Sequence, residues 1–562
     1  MKRRVLVGLL AASLAANSLA GMAVCAEEAN AAGKTLEELD ALSPSAEDNS
    51  VTKYDEPVTI TWGVSSSSVQ QFKDGDTYED NVWSRRIKED LNIDLVPEWT
   101  ADGYSEAYLN KLHLCVASGE LPDVFRCPDY ATFRQAAESG LLADLTDIYD
   151  EYAGDYLTKC KMKYPDCMNY ATVDGKLYGI PMFNDNSIMA TLLWIRDDWL
   201  ENLNLEAPKT IEDLYEVARA FTYDDPDGDG IDNTYGLGLN NTLLSADHAS
   251  LMGLVGAWGV PLFTDQMFYR NADGEMTAAV IQDEMKPALA YVQKMYQEGL
   301  IDPEFVVKDA SSIAEDMASG KIGMAFGQQW GTWWPWNLLY ESEGAVVHPY
   351  PIPTAEGYDY KLGYNSNASG EIICISASCE HPEAVIQMIN HYRSINNPDM
   401  SDDTAALYDA DEQYRFNPCW SNEPHEANYA PFFRKVQNGE EDISILNGDL
   451  LNKYNLSEAF ENGESTANDA YGNWGAYSKS GSLNIIQTVY ASDDALVQSL
   501  MSVQPDSQVQ YGSTLMKIVQ QAYTNIITTD TDVDSAFDQF VEDWKNAGGQ
   551  KVLDEMEELY PQ

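Results

Sequence analysis

The spacing of apolar residues divides the chain from about residue 58 into alternating strands and helices. Val58 to Gly63 alternates β-branched with other residues and stops at a glycine, which predicts a strand that ends in a loop. Trp83, Ile87 and Leu91 recur at every fourth position and predict one face of a helix. The same criteria then predict a strand over 93–99, a helix over 104–118 and a strand over 121–125. Such alternation is typical of an α/β fold with mostly parallel sheets, in which ligands bind beyond the carboxyl ends of the strands.

A second series of elements follows residue 173. Thr210 and Asp213 form a capping-box-like start to a helix whose buried stripe is Leu214, Val217 and Phe221. The remaining predicted elements are a turn followed by a strand over 173–181, strands over 191–197, 320–326 and 372–376, and helices over 382–393 and 537–544. The pattern therefore predicts α/β structure in both halves of the chain.

Composition narrows the class of partner. The chain has 562 residues, and 91 acidic against 34 basic side chains give a net charge of −57. Nucleic-acid binding depends on Lys and Arg that neutralise phosphates, so this charge excludes it and disfavours anionic membrane surfaces. Hydrophobic residues make up 44%, which is the content of a globular protein rather than of a disordered one.

The first residues have the layout of a bacterial secretory signal. Basic residues 2–4 precede an apolar run of small residues, and no later apolar run is long enough to span a membrane. Residues 22–25 resemble a lipobox, in which Cys25 would be acylated, although Val24 departs from the usual Gly or Ala. Signal-peptidase cleavage after Ala26 is the alternative. We favour lipidation because residues 26–57 are acidic and lack apolar periodicity, which predicts a flexible tether.

Several segments together resemble one protein family. They are similar to extracellular solute-binding proteins of family 1, and in particular to the large lipoproteins of Gram-positive bacteria that serve carbohydrate ABC importers. The resemblance implies a type II periplasmic-binding-protein-like fold, with two α/β lobes joined by a hinge and closing on ligand. The segments that carry it are 174–181 (DGKLYGIP), 193–238 (beginning LWIRDDWL), 318–330 (ASGKIGMAFGQQW) and 537–560 (beginning FDQFVEDW).

The resemblance and the element pattern together predict a division of the chain. We expect each lobe to be a mostly parallel sheet flanked by helices, and the protein to be a monomer on the extracellular face of the membrane. The predicted segments are a signal peptide over 1–25, a linker over 26–57, lobe 1 over 58–181, lobe 2 over 182–350, a return to lobe 1 over 351–400, and a helical region over 401–562 that packs mainly on lobe 2.

An acidic loop at 225–234 carries the sharpest chemical signal. Asp225, Asp227 and Asp229 occupy alternating positions, and the carbonyl of Ile231 follows a glycine, which is the oxygen shell that a hard cation needs. The bidentate Glu of an EF-hand is missing, so the loop is not a full EF-hand. The family resemblance implies a calcium-type loop here, with Asn233 where relatives commonly carry Asp. We predict a structural Ca²⁺ site.

Four tryptophans within residues 330–336 predict a sugar-binding surface. Sugars stack their C–H faces on aromatic rings, and their hydroxyls need a few polar partners. Trp330, Trp333 and Trp334 are the candidate platforms. The resemblance selects Trp330 first, because in the family the aromatic residue just after this strand often faces ligand. Further candidates lie at predicted strand ends: Trp62, Asp129, Tyr130, Phe183, Asp185, Asn365 and Asn367.

The function predicted from the sequence is capture of a carbohydrate and its delivery to the permease of an ABC importer. The high acidity favours a neutral oligosaccharide over a polyanion. A secreted glycoside hydrolase or lyase and a calcium-dependent surface adhesin are the alternatives. The motifs HExxH, GxSxG, GxGxxG and Walker A do not occur, so we predict no enzymatic activity and no catalytic residue.

Overall fold

The computed structural model describes most of the chain as two units. Unit 1 comprises residues up to Met182 together with Gly370–Ser421, and unit 2 comprises Phe183–Ser369 and Asn422–Gln562. The described residues are 35, 38–39, 51–66, 72, 75–102, 106–183, 186–244, 248–263, 267–365, 370–395, 417–419, 425–446, 448–491, 494–500 and 505–561. Among them no helix combines the length and the apolar character that crossing a membrane requires.

The strands follow one another along both units. In chain order they are β1 (Val58–Ser66), β2 (Ile93–Asp102), β3 (Val124–Cys127), β4 (Thr172–Val173), β5 (Lys176–Leu177), β6 (Gly179–Pro181), β7 (Leu192–Arg196), β8 (Tyr235–Leu237), β9 (Phe268–Arg270), β10 (Met276–Ala278), β11 (Ile322–Gly327), β12 (Val347–Tyr350), β13 (Leu362–Tyr364), β14 (Ile372–Ile375) and β15 (Leu496–Gln498).

The helices flank these strands. They are α1 (Val82–Leu91), α2 (Glu106–Ser118), α3 (Tyr130–Glu138), α4 (Thr146–Tyr152), α5 (Asp155–Lys163), α6 (Pro165–Tyr170), α7 (Asp197–Asn202), α8 (Ile211–Tyr223), α9 (Met252–Gly256), α10 (Met285–Gln297), α11 (Ala310–Ala318), α12 (Trp336–Glu343), α13 (Pro382–Ile395), α14 (His425–Gln437), α15 (Gly448–Glu461), α16 (Asn468–Tyr477), α17 (Ser482–Asn484), α18 (Asp506–Thr528), α19 (Val533–Trp544) and α20 (Gln550–Leu559).

The α/β class is confirmed, but the main sheets are mixed rather than mostly parallel. In unit 1 the strand order is β2-β1-β3-β14-β6, with β1 parallel to β2 and β3, and β14 antiparallel to β3 and β6. In unit 2 the order is β12-β7-β11-β8, with β7 antiparallel to both neighbours and β11 parallel to β8. The pattern predicts seven of the strand segments, whereas the direction of the strands depends on connections made over long stretches of chain.

The first strand is longer than the sequence predicts. It runs through Gly63 to Ser66, because Gly63 marks a bulge in the pairing with β2 and does not end the strand. The glycine is needed for packing, since a Cβ there would lie 2.5 Å from the ring of Trp99. Trp62 is therefore inside a strand and only 2% exposed.

Part of the predicted flexible tether is held on unit 1. The backbone N–H of Thr52 donates to Oε1 of Gln387 at 3.0 Å, and the N–H of Tyr54 donates to the carbonyl of Leu91 at 3.0 Å. Leu39 is only 1% exposed. The prediction of a flexible linker is thus wrong for residues 51–57, because side-chain and backbone partners far along the chain fix them. Cys25 and the signal segment lie outside the described residues.

The segment boundaries also differ from the predicted division. The chain leaves unit 1 after Met182 and returns to it at Gly370, whereas the prediction placed the return at residue 351. Residues 351–369 group with unit 2 because Ile352 and Leu362 are buried in its core, and β13 pairs with β15.

The helix α8 forms as its sequence predicts. The side chain of Thr210 accepts from the N–H of Asp213, the carboxylate of Asp213 accepts from the N–H of Thr210, and the two complete a capping box. Leu214, Val217 and Phe221 are buried along one face. The acidic loop begins just after this helix and leads into β8, so the helix fixes one end of the loop and the sheet fixes the other.

A carboxyl group at the start of α7 gives a pH-dependent prediction. Burial raises the pKa of Asp197 to about 6. The hydrogen bond that its Oδ1 accepts from the Tyr350 hydroxyl at 2.8 Å lowers the pKa, but by less than burial raises it. The fold therefore favours the protonated form, and stability falls as pH rises from the unfolded value near 3.8 to about 6. We expect Asp197→Asn to stabilise the protein by about 1 kcal/mol at pH 7, after allowing for partial solvent screening.

Chemical denaturation at several pH values tests this expectation. The stabilisation by Asp197→Asn should shrink as pH falls and disappear below about pH 3, where the carboxyl group of Asp197 is protonated in both the folded and the unfolded protein. Asp198→Asn is the matched control: Asp198 accepts from the buried Arg196 side chain, with Nε at 3.0 Å, so its loss should destabilise the protein at pH 7. An Asp197→Asn protein that is less stable than wild type at pH 7 would contradict the assignment.

Candidate functional site

The tryptophan-rich segment leaves the end of a fully buried strand. All six residues of β11 are buried, and the chain then turns through residues 328–335 into α12. The turn packs closely on β7, since a Cβ at Gly331 would lie 2.5 Å from the ring of Trp194. The predicted strand followed by an aromatic loop is confirmed.

The structure separates the four tryptophans of this loop. Trp330 is partly exposed, and its indole Nε1–H donates to Oε1 of Gln328 at 2.7 Å. Its ring stacks on Trp334, with centroids 6.0 Å apart and planes at 28°. Trp336 is 1% exposed and belongs to the core. The sequence analysis did not select it as a sugar platform.

Trp333 points into a different environment. Its ring packs on helix α16, where a Cβ at Gly472 would lie 2.3 Å from its Cδ1, and it meets Tyr477 edge-on at 5.9 Å. The adjacent Thr332 donates its hydroxyl to the carbonyl of Gly472 at 3.1 Å. Trp333 is partly exposed and joins the loop to α16, and its role as a sugar platform stays a prediction.

Trp334 supports its neighbour. Its ring meets the imidazole of His248 edge-on, with centroids 4.5 Å apart and planes at 78°. The Nε2 atom of His248 lies 2.9 Å from the carbonyl oxygen of Ala310 at the start of α11. Trp334 is partly exposed, but it is held between Trp330 and His248, so Trp330 is the ring at the outer end of this stack.

The candidates in unit 1 have mainly structural partners. Trp62 is buried inside β1, so the prediction that it follows the strand is wrong, and its contact with ligand stays a prediction. Asp129 caps helix α3, because its Oδ2 accepts from both the N–H and the hydroxyl of Thr132. Tyr130 is partly exposed and stacks on Tyr170, with centroids 4.6 Å apart.

The remaining candidates divide between buried, partly exposed and undescribed positions. Phe183 is 1% exposed, which gives it a core position. Asn365 follows β13 and is partly exposed. Asp185 and Asn367 lie outside the described residues.

Two residues of this site were not among the sequence candidates. Gln328 lies between β11 and the tryptophans, and the pair of amides directly before the aromatic run is the sequence signal that could have identified it. His248 lies far from the loop in sequence, and no local pattern singles it out. Only the fold brings it beside Trp334.

The acidic loop brings its three carboxylates together. One oxygen each of Asp225, Asp227 and Asp229 lie within 4.8 Å of one another, and all three side chains are exposed. Asp225 has a φ of 51°, and the N–H of Gly230 donates to its Oδ1 at 3.1 Å. Partial desolvation by the surrounding loop raises the pKa of Asp227, and the two neighbouring carboxylates add to this effect. The donor set fits a hard divalent cation.

The other predicted ligands lie on the same turn. The N–H of Ile231 donates to Oδ1 of Asp229 at 2.7 Å, and Nδ2 of Asn233 lies 3.4 Å from Oδ2 of the same residue. The loop is fixed from outside by Asn202, which donates to the carbonyl of Pro226 at 2.9 Å. The loop thus brings the three carboxylates together, and the participation of the Ile231 carbonyl and of Asn233 in the same site stays a prediction.

Comparison with known proteins identifies the class. The family model for bacterial extracellular solute-binding proteins matches residues 72–394. The chain therefore belongs to this family, as its motifs predict. Among curated relatives, YtcQ of Bacillus subtilis, a polygalacturonan/rhamnogalacturonan-binding protein, is 27% identical over 485 residues, which cover 85% of this chain and 88% of YtcQ. Lipoprotein LipO of the same organism is 29% identical over 40% of this chain and 42% of LipO.

A third relative is known both by sequence and by structure. The fructooligosaccharide ABC transporter substrate-binding protein FusA of Streptococcus pneumoniae is 26% identical over 47% of this chain and 48% of its own length. The structure of FusA in complex with kestose superposes on 89% of this chain and 98% of FusA, with a TM-score of 0.61 and 17% identity. The likeness confirms the type II solute-binding fold.

Proposed function

We propose that this protein captures an oligosaccharide outside the cell and delivers it to the permease of an ABC importer. The observation that carries the proposal is the partly exposed Trp330 ring at the end of β11, fixed at its N–H edge and on one face. A flat, immobile aromatic ring beside polar groups is what a sugar-binding site needs. The names of YtcQ and FusA, both carbohydrate-binding relatives, support this substrate class.

We further propose that the ligand is a neutral sugar. The net charge of −57 opposes a polyanion, and the buried guanidinium groups of Arg126 and Arg196 are already paired with Glu371 and Asp198. The relative YtcQ takes its name from acidic polysaccharides, so the two ligand types must be compared directly. Neutral oligosaccharides should bind with an affinity that depends little on salt, whereas saturable binding of oligogalacturonides with a steep salt dependence would overturn this part.

A lipid anchor on Cys25 is the proposed link to the membrane. The lipobox-like residues 22–25 and the similarity to lipoprotein LipO support it. An anchored, monomeric receptor would present its ligand to the permease at the outer face of the membrane. Metabolic labelling with an alkyne fatty acid tests the anchor, with Cys25→Ala as the control that should remove the label.

The main proposal is tested by measuring whether the protein binds saccharides and whether it converts them to products. Purified protein is screened against a saccharide library by thermal shift, and hits are measured by titration calorimetry. We expect saturable binding of at least one oligosaccharide and no products on prolonged incubation. Product formation would favour a glycoside hydrolase or lyase, and the absence of any saturable saccharide binding would overturn the proposed function.

We also propose that residues 225–234 hold a structural Ca²⁺ ion. Three carboxylates at alternating positions, the carbonyl of Ile231 and the amide oxygen of Asn233 supply the oxygen ligands that calcium prefers. The ion would relieve the repulsion between these charges and tie the end of α8 to β8.

A further inference from the structure

We infer that Gln328 is a positioning residue that holds the plane of the Trp330 ring for sugar stacking. The inference rests on the proposed function and assigns a role in it to a residue that does not itself stack on ligand. It follows from how Gln328, Trp330 and Trp334 are held by the residues around them.

The backbone of Gln328 is held in place by the buried side chain of Trp194 on β7. Its carbonyl oxygen accepts from the indole Nε1–H of Trp194 at 3.1 Å, and the carbonyl of Gly327 lies 3.3 Å from the same nitrogen. Trp194 is 1% exposed in the central part of the sheet, so this anchor is rigid. The start of the loop therefore has a defined position relative to β7 and β11.

The side chain of Gln328 transmits that position to Trp330. Gln328 is 6% exposed, and its Oε1 accepts from the indole N–H of Trp330 at 2.7 Å. Because Gln328 is almost fully buried, its Oε1 has no ready solvent partner if this bond breaks, which makes the bond costly to lose. The bond therefore fixes the N–H edge of the indole.

A second restraint acts on one face of the same ring. Trp334 stacks on Trp330 and is itself held edge-on by His248. With one face on Trp334 and the N–H edge on Gln328, the partly exposed Trp330 would stack on sugar through its opposite face in this proposal. Because the ring is already ordered, the binding of sugar does not have to immobilise it.

If the Trp330 ring is no longer held in place, the affinity for saccharide should fall by a measurable factor. Ordering one side chain costs an amount that corresponds to about three- to tenfold in affinity. We expect Gln328→Met, which keeps the length but removes the acceptor, to weaken saccharide binding by about that factor. Gln328→Glu keeps an acceptor oxygen and should retain most of the affinity.

A double-mutant cycle with Trp330→Phe separates positioning from direct contact. Phenylalanine retains an aromatic ring but has no N–H, so Gln328→Met should weaken binding in the wild-type background and have no further effect in the Trp330→Phe background. The measurement is titration calorimetry with the oligosaccharide found in the screen. An equal loss in both backgrounds, or no loss in the wild type, would overturn the inference.

A measurement on the protein without ligand tests the role of Gln328 independently of the proposed sugar binding. The indole N–H resonance of Trp330, assigned by its loss in Trp330→Phe, should move in Gln328→Met and exchange faster with solvent, and should be restored in Gln328→Glu. An unchanged resonance would overturn the positioning role even if sugars bind. A moved resonance in a protein that binds no saccharide would overturn the proposed function and leave the restraint on the ring established.

Discussion

Replacing Trp330 by alanine is expected to weaken oligosaccharide binding by about 30-fold, while the melting temperature changes little. The size follows from the loss of about 2 kcal/mol that is usual when an aromatic anchor is truncated at a binding surface. The ring is partly exposed and stacks on Trp334 rather than on the core, so its removal leaves no large cavity. Titration calorimetry and thermal melting of the same samples measure both effects.

Trp333→Ala is the matched control for this prediction. Trp333 lies in the same loop, but its ring fills space against Gly472 and Tyr477 of α16. Its truncation should lower the melting temperature, because it leaves a cavity between the loop and the helix. If Trp330→Ala binds as tightly as wild type while its fold is intact, Trp330 is not the sugar platform.

Removal of calcium is expected to lower the melting temperature of the wild-type protein by several degrees. A ligand that binds only the folded state at 100 times its Kd stabilises that state by about 2.7 kcal/mol. Without the ion, the carboxylates of Asp225, Asp227 and Asp229, whose oxygens lie within 4.8 Å of one another, repel each other. Scanning calorimetry with added Ca²⁺ and with EDTA measures the difference.

Two asparagine variants make the calcium test specific. Asp227→Asn should be insensitive to EDTA, and in EDTA it should melt at or above the wild type, because one repelling charge is gone. Asp232→Asn is the control: Asp232 is an exposed acid in the same loop outside the carboxylate cluster, and it should leave the EDTA effect intact. A wild-type protein whose melting is the same with calcium and with EDTA would show that the loop is only a solvated acidic turn.

Local patterns predict the elements of this fold well where one short segment contains all the partners. The capping box at Thr210 and Asp213 and the buried stripe of α8 are of this kind, as is the cluster of carboxylates after it. Each depends on residues within a few positions of one another, so spacing is sufficient.

The same reasoning fails where a distant partner decides the outcome. Gly63 reads as the end of a strand, but the ring of Trp99 packs on it and the strand continues. Residues 51–57 read as tether, but Gln387 and Leu91 hold them on unit 1. In each case, the missing information is a contact with a residue far along the chain.

The sequence by itself determined the family, the α/β class, the acidic loop and the presence of an aromatic cluster after β11. It did not determine what holds each of the four tryptophans in place, because all four have the same chemistry and lie within seven positions. The tertiary structure decided that: α16, about 140 residues further along, takes up Trp333, while His248 supports Trp334 and Gln328 fixes Trp330. Burial is a property of the packed surroundings, and local spacing does not contain it.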